Sequence, residues 1–356
     1  MNIITPVTAR RPVVVETKKK RTLNMPARLA DHAATAMLAA AVAPTEHDKV
    51  LVYVADGNFE AAAKLAAKLI NGDNDIGFFI HGANPEFRLV DTWFKGRIRA
   101  AAKNKVSEFC ELTPELAQIL LLNNKGNRRV NSANLAGIMR DMASGRWAAN
   151  GETIIVSRDG LLNDGQHRCF AALITGACVE TAVAFGVDRD SMATIDIGRK
   201  RTGADRLGIG GVSNYVPMSA ISNLILEMKN GRSATPAETD EFFYANRELV
   251  EKAHSAAGTN MKGVGPSAAG AACAYLISLG HLQADVAAFF AAVRSGEMMP
   301  KRDPRMVLHR SIFDARYKAK LSRDNWVKAF VAHFVAHKSG KTMQSVTYDV
   351  TLTWGI

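Results

Sequence analysis

The residues best equipped for chemistry lie in one short run, Leu162-Asn163-Asp164-Gly165-Gln166-His167-Arg168. Asp164 can accept a proton or hold a magnesium ion. His167 can donate a hydrogen bond or move a proton near neutral pH. Arg168 can grip a phosphate through two parallel N–H donors, and Gly165 lets the backbone come close to a ligand. The pattern around the run predicts that it leaves a strand and enters a helix. The first turn of such a helix presents unpaired N–H groups at the positive end of its dipole, so an anion is welcome there.

The neighbouring sequence supplies elements to hold that loop. Thr153–Ser157 reads as a strand, Arg158-Asp159-Gly160 as a turn and Leu161-Leu162 as a second short strand. Cys169–Thr175 is apolar and helical and stops at Gly176, and Thr181–Phe185 is again a strand. Upstream, Thr113-Pro114-Glu115 is a helix start: Thr caps, Pro fits the first position, and the acid favours the positive end. That helix stops at Asn123-Asn124-Lys125-Gly126. A second, about Asn131 to Ser144, ends at Gly145-Arg146-Trp147, where Trp147 is expected to anchor in the core.

The composite order, from Asn127-Arg128-Arg129 through Asn150-Gly151-Glu152-Thr153-Ile154 to the loop, resembles the ParB N-terminal/sulfiredoxin superfamily, in particular its phage-type ParB-like group. The resemblance covers about residues 110–206. It implies a nucleoside triphosphate, CTP or ATP, with magnesium at the loop. Gly165, His167 and Arg168 match the phosphate loop, Gln166 between them is a further candidate for phosphate contact, and Arg128 or Arg129 matches an early arginine that approaches the nucleotide. Thr194-Ile195-Asp196-Ile197-Gly198-Arg199-Lys200-Arg201 matches a second motif of the phage group, so Asp196 and Arg201 are expected beside the loop. Asp164, His167 and Asp196 are the catalytic candidates, and Asp164 is the metal candidate. The departures are informative. Gln166 stands where sulfiredoxin has its reactive cysteine, which argues against sulfinic-acid reduction. Asn123, Asn124 and Asn127 stand where the related serine kinases place a glutamate base.

The remainder is organised around this module. Residues 1–46 read as a basic arm and an alanine-rich helix. Residues 47–109 read as a small α/β module, with strands at Val50–Val54 and Ile76–Ile80, a helix from Phe59 to Leu69, and a solvated basic helix from Asp91 to Lys105. Leu207 to Gly211 reads as a connection, its glycines wrongly spaced for a dinucleotide fingerprint. Residues 207–356 then read as an all-helical domain, with helices at Ile221–Met228, Ala237–Phe243, Arg247–Ala257, Ser267–Leu279, Asp285–Ser295, Pro304–Lys320 and Asp324–His337. The fold class expected is therefore α+β: a ParB/sulfiredoxin-like module, a helical domain, and a small N-terminal α/β extension. In the last helix Trp326, Phe330, Val331, Phe334 and Val335 form one apolar stripe. His333 and His337 have the spacing of a metal pair but no carboxylate beside them.

Charge points to a polyanionic partner. The net charge is +11, and it sits at the ends: residues 1–28 carry seven basic residues against Glu16 alone, and residues 301–341 carry eleven against Asp303, Asp314 and Asp324. Arg302, Arg305, Arg310, Arg316, Lys318, Lys320 and Arg323 are the candidates for DNA-backbone contact, which would be sequence-independent and salt-sensitive. Three functions follow as expectations: a nucleotide-binding, DNA-binding ParB-like protein; a ParB-like nuclease or DNA-modification enzyme; or a non-enzymatic DNA-binding or adaptor protein. The four cysteines form no C-x-x-C pair, which leaves a zinc ribbon or thioredoxin-type site unsupported. No apolar stretch is long enough for a membrane span and no secretory segment is evident, so a cytoplasmic location is expected. Homo-oligomerisation is left open.

Overall fold

The computed structural model describes residues 45–73, 85–194, 202–258, 261, 263–297, 299–314 and 318–356. The protein is mixed α+β, mostly helical, with one small four-stranded sheet. It divides into two compact units, Met1–Met192 and Ala193–Ile356.

The first unit opens with α1 (Glu46–Ala55) and α2 (Phe59–Asp73). The expected strand at Val50–Val54 is part of α1. Thr45 and Asp48 form a reciprocal capping box, and Val50 and Val54, four apart, are both buried. A capped start and a period of four outweigh the β propensity of the valines. α2 buries Ala62, Ala63, Ala66 and Ala67, small residues that let a helix approach closely. The expected N-terminal arm, the helix at 26–43 and the strand at Ile76–Ile80 lie outside the described residues. α3 spans Pro85–Ala101, starting before Asp91 and stopping short of Lys105. β1 (Val106–Leu112) follows and runs across the expected boundary at 109/110, so no break between elements falls there.

Then come α4 (Pro114–Leu122), α5 (Ser132–Ala143), β2 (Thr153–Ser157), β3 (Leu162–Asp164), α6 (Gln166–Thr175), β4 (Val179–Val187) and a 3-10 turn at Arg189–Thr194. The sheet order is β1-β4-β2-β3. β4 pairs antiparallel with β1 and parallel with β2, and β2 pairs antiparallel with β3. Leu112, Leu120, Leu135, Met139, Ile154, Phe170 and Phe185 are fully buried in one apolar cluster that joins the sheet to its helices.

The second unit contains α7 (Gly203–Ile209), α8 (Tyr215–Asn230), α9 (Pro236–Ala245), α10 (Arg247–Ala257), α11 (Pro266–Ser278), α12 (Gln283–Ser295), α13 (Pro304–Phe313) and α14 (Arg323–Lys338). The expected connection at Leu207 to Gly211 is largely α7, started by a Thr202–Asp205 capping box. Gly210 follows it, and an added methyl there would lie 2.6 Å from the Tyr244 hydroxyl, at the tip of a half-exposed side chain. α13 stops at Phe313, not Lys320, because Asp314 is extended (φ −86°, ψ 118°) and residues 318–320 are not helical. Phe243, Phe289, Phe290, Phe330 and Phe334 form the fully buried centre. Of the apolar stripe on α14, Val335 faces out, half exposed, whereas Trp326, Phe330, Val331 and Phe334 are buried. Among the described residues no helix is long and apolar enough to cross a membrane.

Candidate phosphate-binding loop

Gly165 stands at the N-cap of α6 with φ +105°. An added methyl there would lie 2.8 Å from Ile154 Cγ1 and 3.2 Å from Ile154 Cβ. The glycine is thus required twice, for a backbone that L side chains avoid and for close packing of α6 against β2. The amides of Gln166, His167 and Arg168 occupy the first turn, where α-helix geometry provides no intrahelical acceptor.

The side chains expected to meet a ligand are instead buried and committed. Arg168, 7% exposed, donates through Nη1 to the Glu152 carbonyl (2.8 Å) and through Nη2 to the Thr153 carbonyl (2.9 Å) and Asp164 Oδ2 (3.2 Å). It pins the start of β2 to α6, so the expected phosphate clamp is a structural fork in this arrangement. Gln166 donates through Nε2 to the Arg128 carbonyl (2.8 Å) and accepts from Asn124 Nδ2 (3.3 Å). His167 Nε2 accepts from the Asn131 backbone N–H (3.0 Å). That bond makes Nε2 an acceptor, so the ring takes the tautomer with its proton on Nδ1. Asp164, partly exposed at the end of β3, keeps one carboxylate oxygen towards Arg168.

A second loop, residues 123–131, is laid along the first. The Leu162 N–H donates to the Asn123 carbonyl (3.0 Å), and Asn127 Nδ2 donates to the Leu162 carbonyl (2.7 Å). Asn71 closes the far end, exchanging two hydrogen bonds with the backbone of Val130. Two of the asparagines that stand in place of a kinase base, Asn124 and Asn127, are therefore clamps through their carboxamides, whereas Asn123 donates from Nδ2 to the Ile119 carbonyl of its own helix and joins the loops through its backbone. Arg128 and Arg129 are exposed on this second loop, with the Arg128 carbonyl fixed by Gln166. Arg189 bridges the two loops. Nη1 donates to the Leu162 carbonyl (2.9 Å) and Asn163 Oδ1 (2.7 Å), and Nη2 to the Lys125 carbonyl. Ser157 orders the turn that precedes the loop, and its hydroxyl holds the Asp159 carboxyl below the usual carboxylate range.

The structure thus brings together Asp164, Gly165, Gln166, His167, Arg168 and the Arg128-Arg129 pair. Asp196 and Arg201 lie outside the described residues. Arg189 and Asn71 escaped the sequence reading, and Asn124 and Asn127 entered it only in place of a kinase base, not as clamps. The three asparagines between 123 and 127 were the available signal, and Arg189 carried none beyond its place after a strand. Among the described residues no group of three His, Cys, Asp or Glu side chains is arranged to hold a metal ion. Cys169 is fully buried, and burial pushes its thiol up to about 12, an inert state. Trp147 is anchored as expected, packed against the core with its Nε1 donating to the Glu180 carbonyl (3.1 Å).

The basic candidates of the second unit divide in two. Arg305 is held by Asp303 through two hydrogen bonds (2.7 and 3.0 Å), Arg310 donates to the Lys301 carbonyl (2.7 Å), and Arg323 pairs with Glu227 (3.1 Å). Arg302, Lys318 and Lys320 are exposed, and Arg316 lies outside the described residues. His333 is buried with Nδ1 on the Ala329 carbonyl (2.8 Å), a core histidine and not a metal ligand in this arrangement. No family model, curated protein or solved structure matches this chain.

Proposed function

We propose that this is a phage-type ParB-like protein of the ParB/sulfiredoxin class, binding the phosphates of a nucleotide at the 164–168 loop and DNA through exposed cations. One observation carries the reading. Gln166, the first residue of α6, fixes the Arg128 carbonyl, and so ties the loop that carries an exposed arginine pair to a helix N-terminus. Helix N-terminal amides together with exposed guanidinium groups favour phosphate. Magnesium would find one carboxylate here, Asp164, and would take its remaining ligands from phosphate and water. Calorimetric titration with the four nucleoside triphosphates and magnesium tests it. CTP or ATP is expected to bind, and Arg128→Ala with Arg129→Ala to weaken that binding about tenfold or more. A folded protein that binds none of the four ends the reading.

The saturated state of Arg168 favours a second reading, a non-enzymatic DNA-binding or adaptor protein whose loop is scaffold. In that case DNA binding persists with no nucleotide bound. A nuclease or DNA-modification role shares the same site. Incubating plasmid with divalent metal, read by gel and nucleoside mass spectrometry, separates it from the other two.

A further inference from the structure

Arg189 is half-buried, yet its guanidinium does not pair with a nearby carboxylate as its main partner. It spends its donors on three oxygens from two loops: Leu162 O, Asn163 Oδ1 and Lys125 O. Leu162 and Asn163 lie in β3, immediately before the Gly165 turn. Lys125 lies in the loop that presents Arg128 and Arg129. Asn127 and Gln166 also join the loops, but each belongs to one of them, whereas Arg189 reaches both from the turn after β4. The path of the guanidinium is kept open by Gly126, with φ +72°, where an added methyl would lie 3.3 Å from Nη2. The carbonyl of Leu162 receives two donors at once, from Arg189 and from Asn127. A backbone oxygen with both lone pairs taken is fixed in direction as well as in place.

We infer that Arg189 is the positioning residue of the phosphate-binding surface. Its planar fork sets the 123–131 loop, and with it the Arg128-Arg129 pair, against the N-terminus of α6. This rests on the phosphate reading above, but goes beyond it by naming what makes the two halves of the surface one site. A lysine carries the same charge, but its donors sit on one nitrogen, so it lacks the two-nitrogen span with which Arg189 reaches both loops. The planar fork, not the charge, is therefore the feature that matters.

The test combines two readouts on full-length Arg189→Met, Arg189→Lys and Gly126→Ala. In the first, amide hydrogen exchange is followed without ligand. Arg189→Met is expected to raise exchange in 123–131 and 161–168 together and leave β1 and β4 unchanged. Exchange that rises only around 189–194, or throughout the unit, overturns the clamp. In the second, pyrophosphate and magnesium–ATP are titrated. Wild type is expected to bind, Arg189→Met about tenfold more weakly, with Arg189→Lys nearer the Met variant than wild type and Gly126→Ala between. Equal affinity of wild type and Arg189→Met overturns the positioning role. Should wild type bind neither probe, the phosphate reading falls, while the exchange data still decide whether Arg189 joins the loops.

Discussion

The two arginine-rich regions of this protein use their charge in opposite ways. Around the 162–168 loop, Arg168 and Arg189 turn inward and give every described bond but one to neutral oxygens. The exception is the long contact to Asp164. In the 301–323 region Arg305 and Arg323 pair with Asp303 and Glu227, Arg310 donates to the Lys301 carbonyl of the turn before α13, and Arg302 stays exposed. The first pattern builds shape, because a guanidinium can tie several carbonyls at fixed angles. The second mutes a surface charge that composition alone would have advertised. Of the residues expected to meet a polyanion, Arg128 and Arg129 in one unit, and Arg302, Lys318 and Lys320 in the other, are exposed and stand outside these pairs.

Breaking the inward pattern is expected to cost most. Arg168→Ala leaves the Glu152 and Thr153 carbonyls and the Asp164 carboxylate without their donor. The loss of unfolding free energy is expected to be about 4 kcal/mol, read from urea denaturation. A loss near zero, with anion binding abolished, would instead make Arg168 a ligand-facing clamp. Gly165→Ala is next. It adds a methyl 2.8 Å from Ile154 Cγ1 at a φ of +105°, at an expected cost of about 3 kcal/mol. The same substitution at Gly145, with φ +71° and nothing within 4 Å, carries the backbone strain alone and serves as the control.

These two positions also show how far the sequence could be read. The strand–glycine–helix order around Gly165, and the helix capped by Thr113, follow from local chemistry and appear in place. The strand expected at Val50–Val54 did not, because three valines fit a helix when a capping box fixes the start and every fourth residue is buried. The helix expected to reach Lys320 ends at Phe313, a stop with no glycine or proline to mark it. At the site, residue types were legible and their partners were not. Arg168 looks alike in sequence whether it grips a phosphate or two carbonyls. Its fate depends on β2, and Arg189 depends on a loop more than sixty positions away (|i−j| of 64). Long-range pairing of this kind leaves no local periodicity to find.

Acid offers a smaller effect confined to the second unit. Burial lowers the His333 imidazole from 6.5 to about 4. The folded state therefore binds fewer protons than the unfolded chain between those values. Its contribution to stability is complete above pH 6.5, declines as pH falls, and is fully lost below about pH 4. Between pH 7 and pH 5 the expected loss is about 2 kcal/mol. His333→Gln should flatten that part of the stability profile. His337, also lowered chiefly by burial and next by Arg305, would carry whatever slope persists. A profile unchanged by His333→Gln would assign the acid sensitivity elsewhere.

The smallest effect is the sharpest test of the muted surface. Lys318 and Lys320 are exposed, whereas Arg305 is committed to Asp303, which raises its own pKa through that hydrogen bond. If the second unit meets DNA through its free cations, Lys318→Ala with Lys320→Ala should weaken binding uniformly across sequences and reduce the slope of log K against log salt by about 2. Arg305→Ala should leave that slope within experimental error, because the same substitution frees the Asp303 carboxylate and removes a cation that was already spoken for. It should instead lower stability by about 1 kcal/mol, since it removes a surface pair with good geometry. The opposite outcome, a slope governed by Arg305 and indifferent to the lysines, would mean that the Asp303 pair opens on binding. The inward and outward arginines would then differ only in how easily their partners let go.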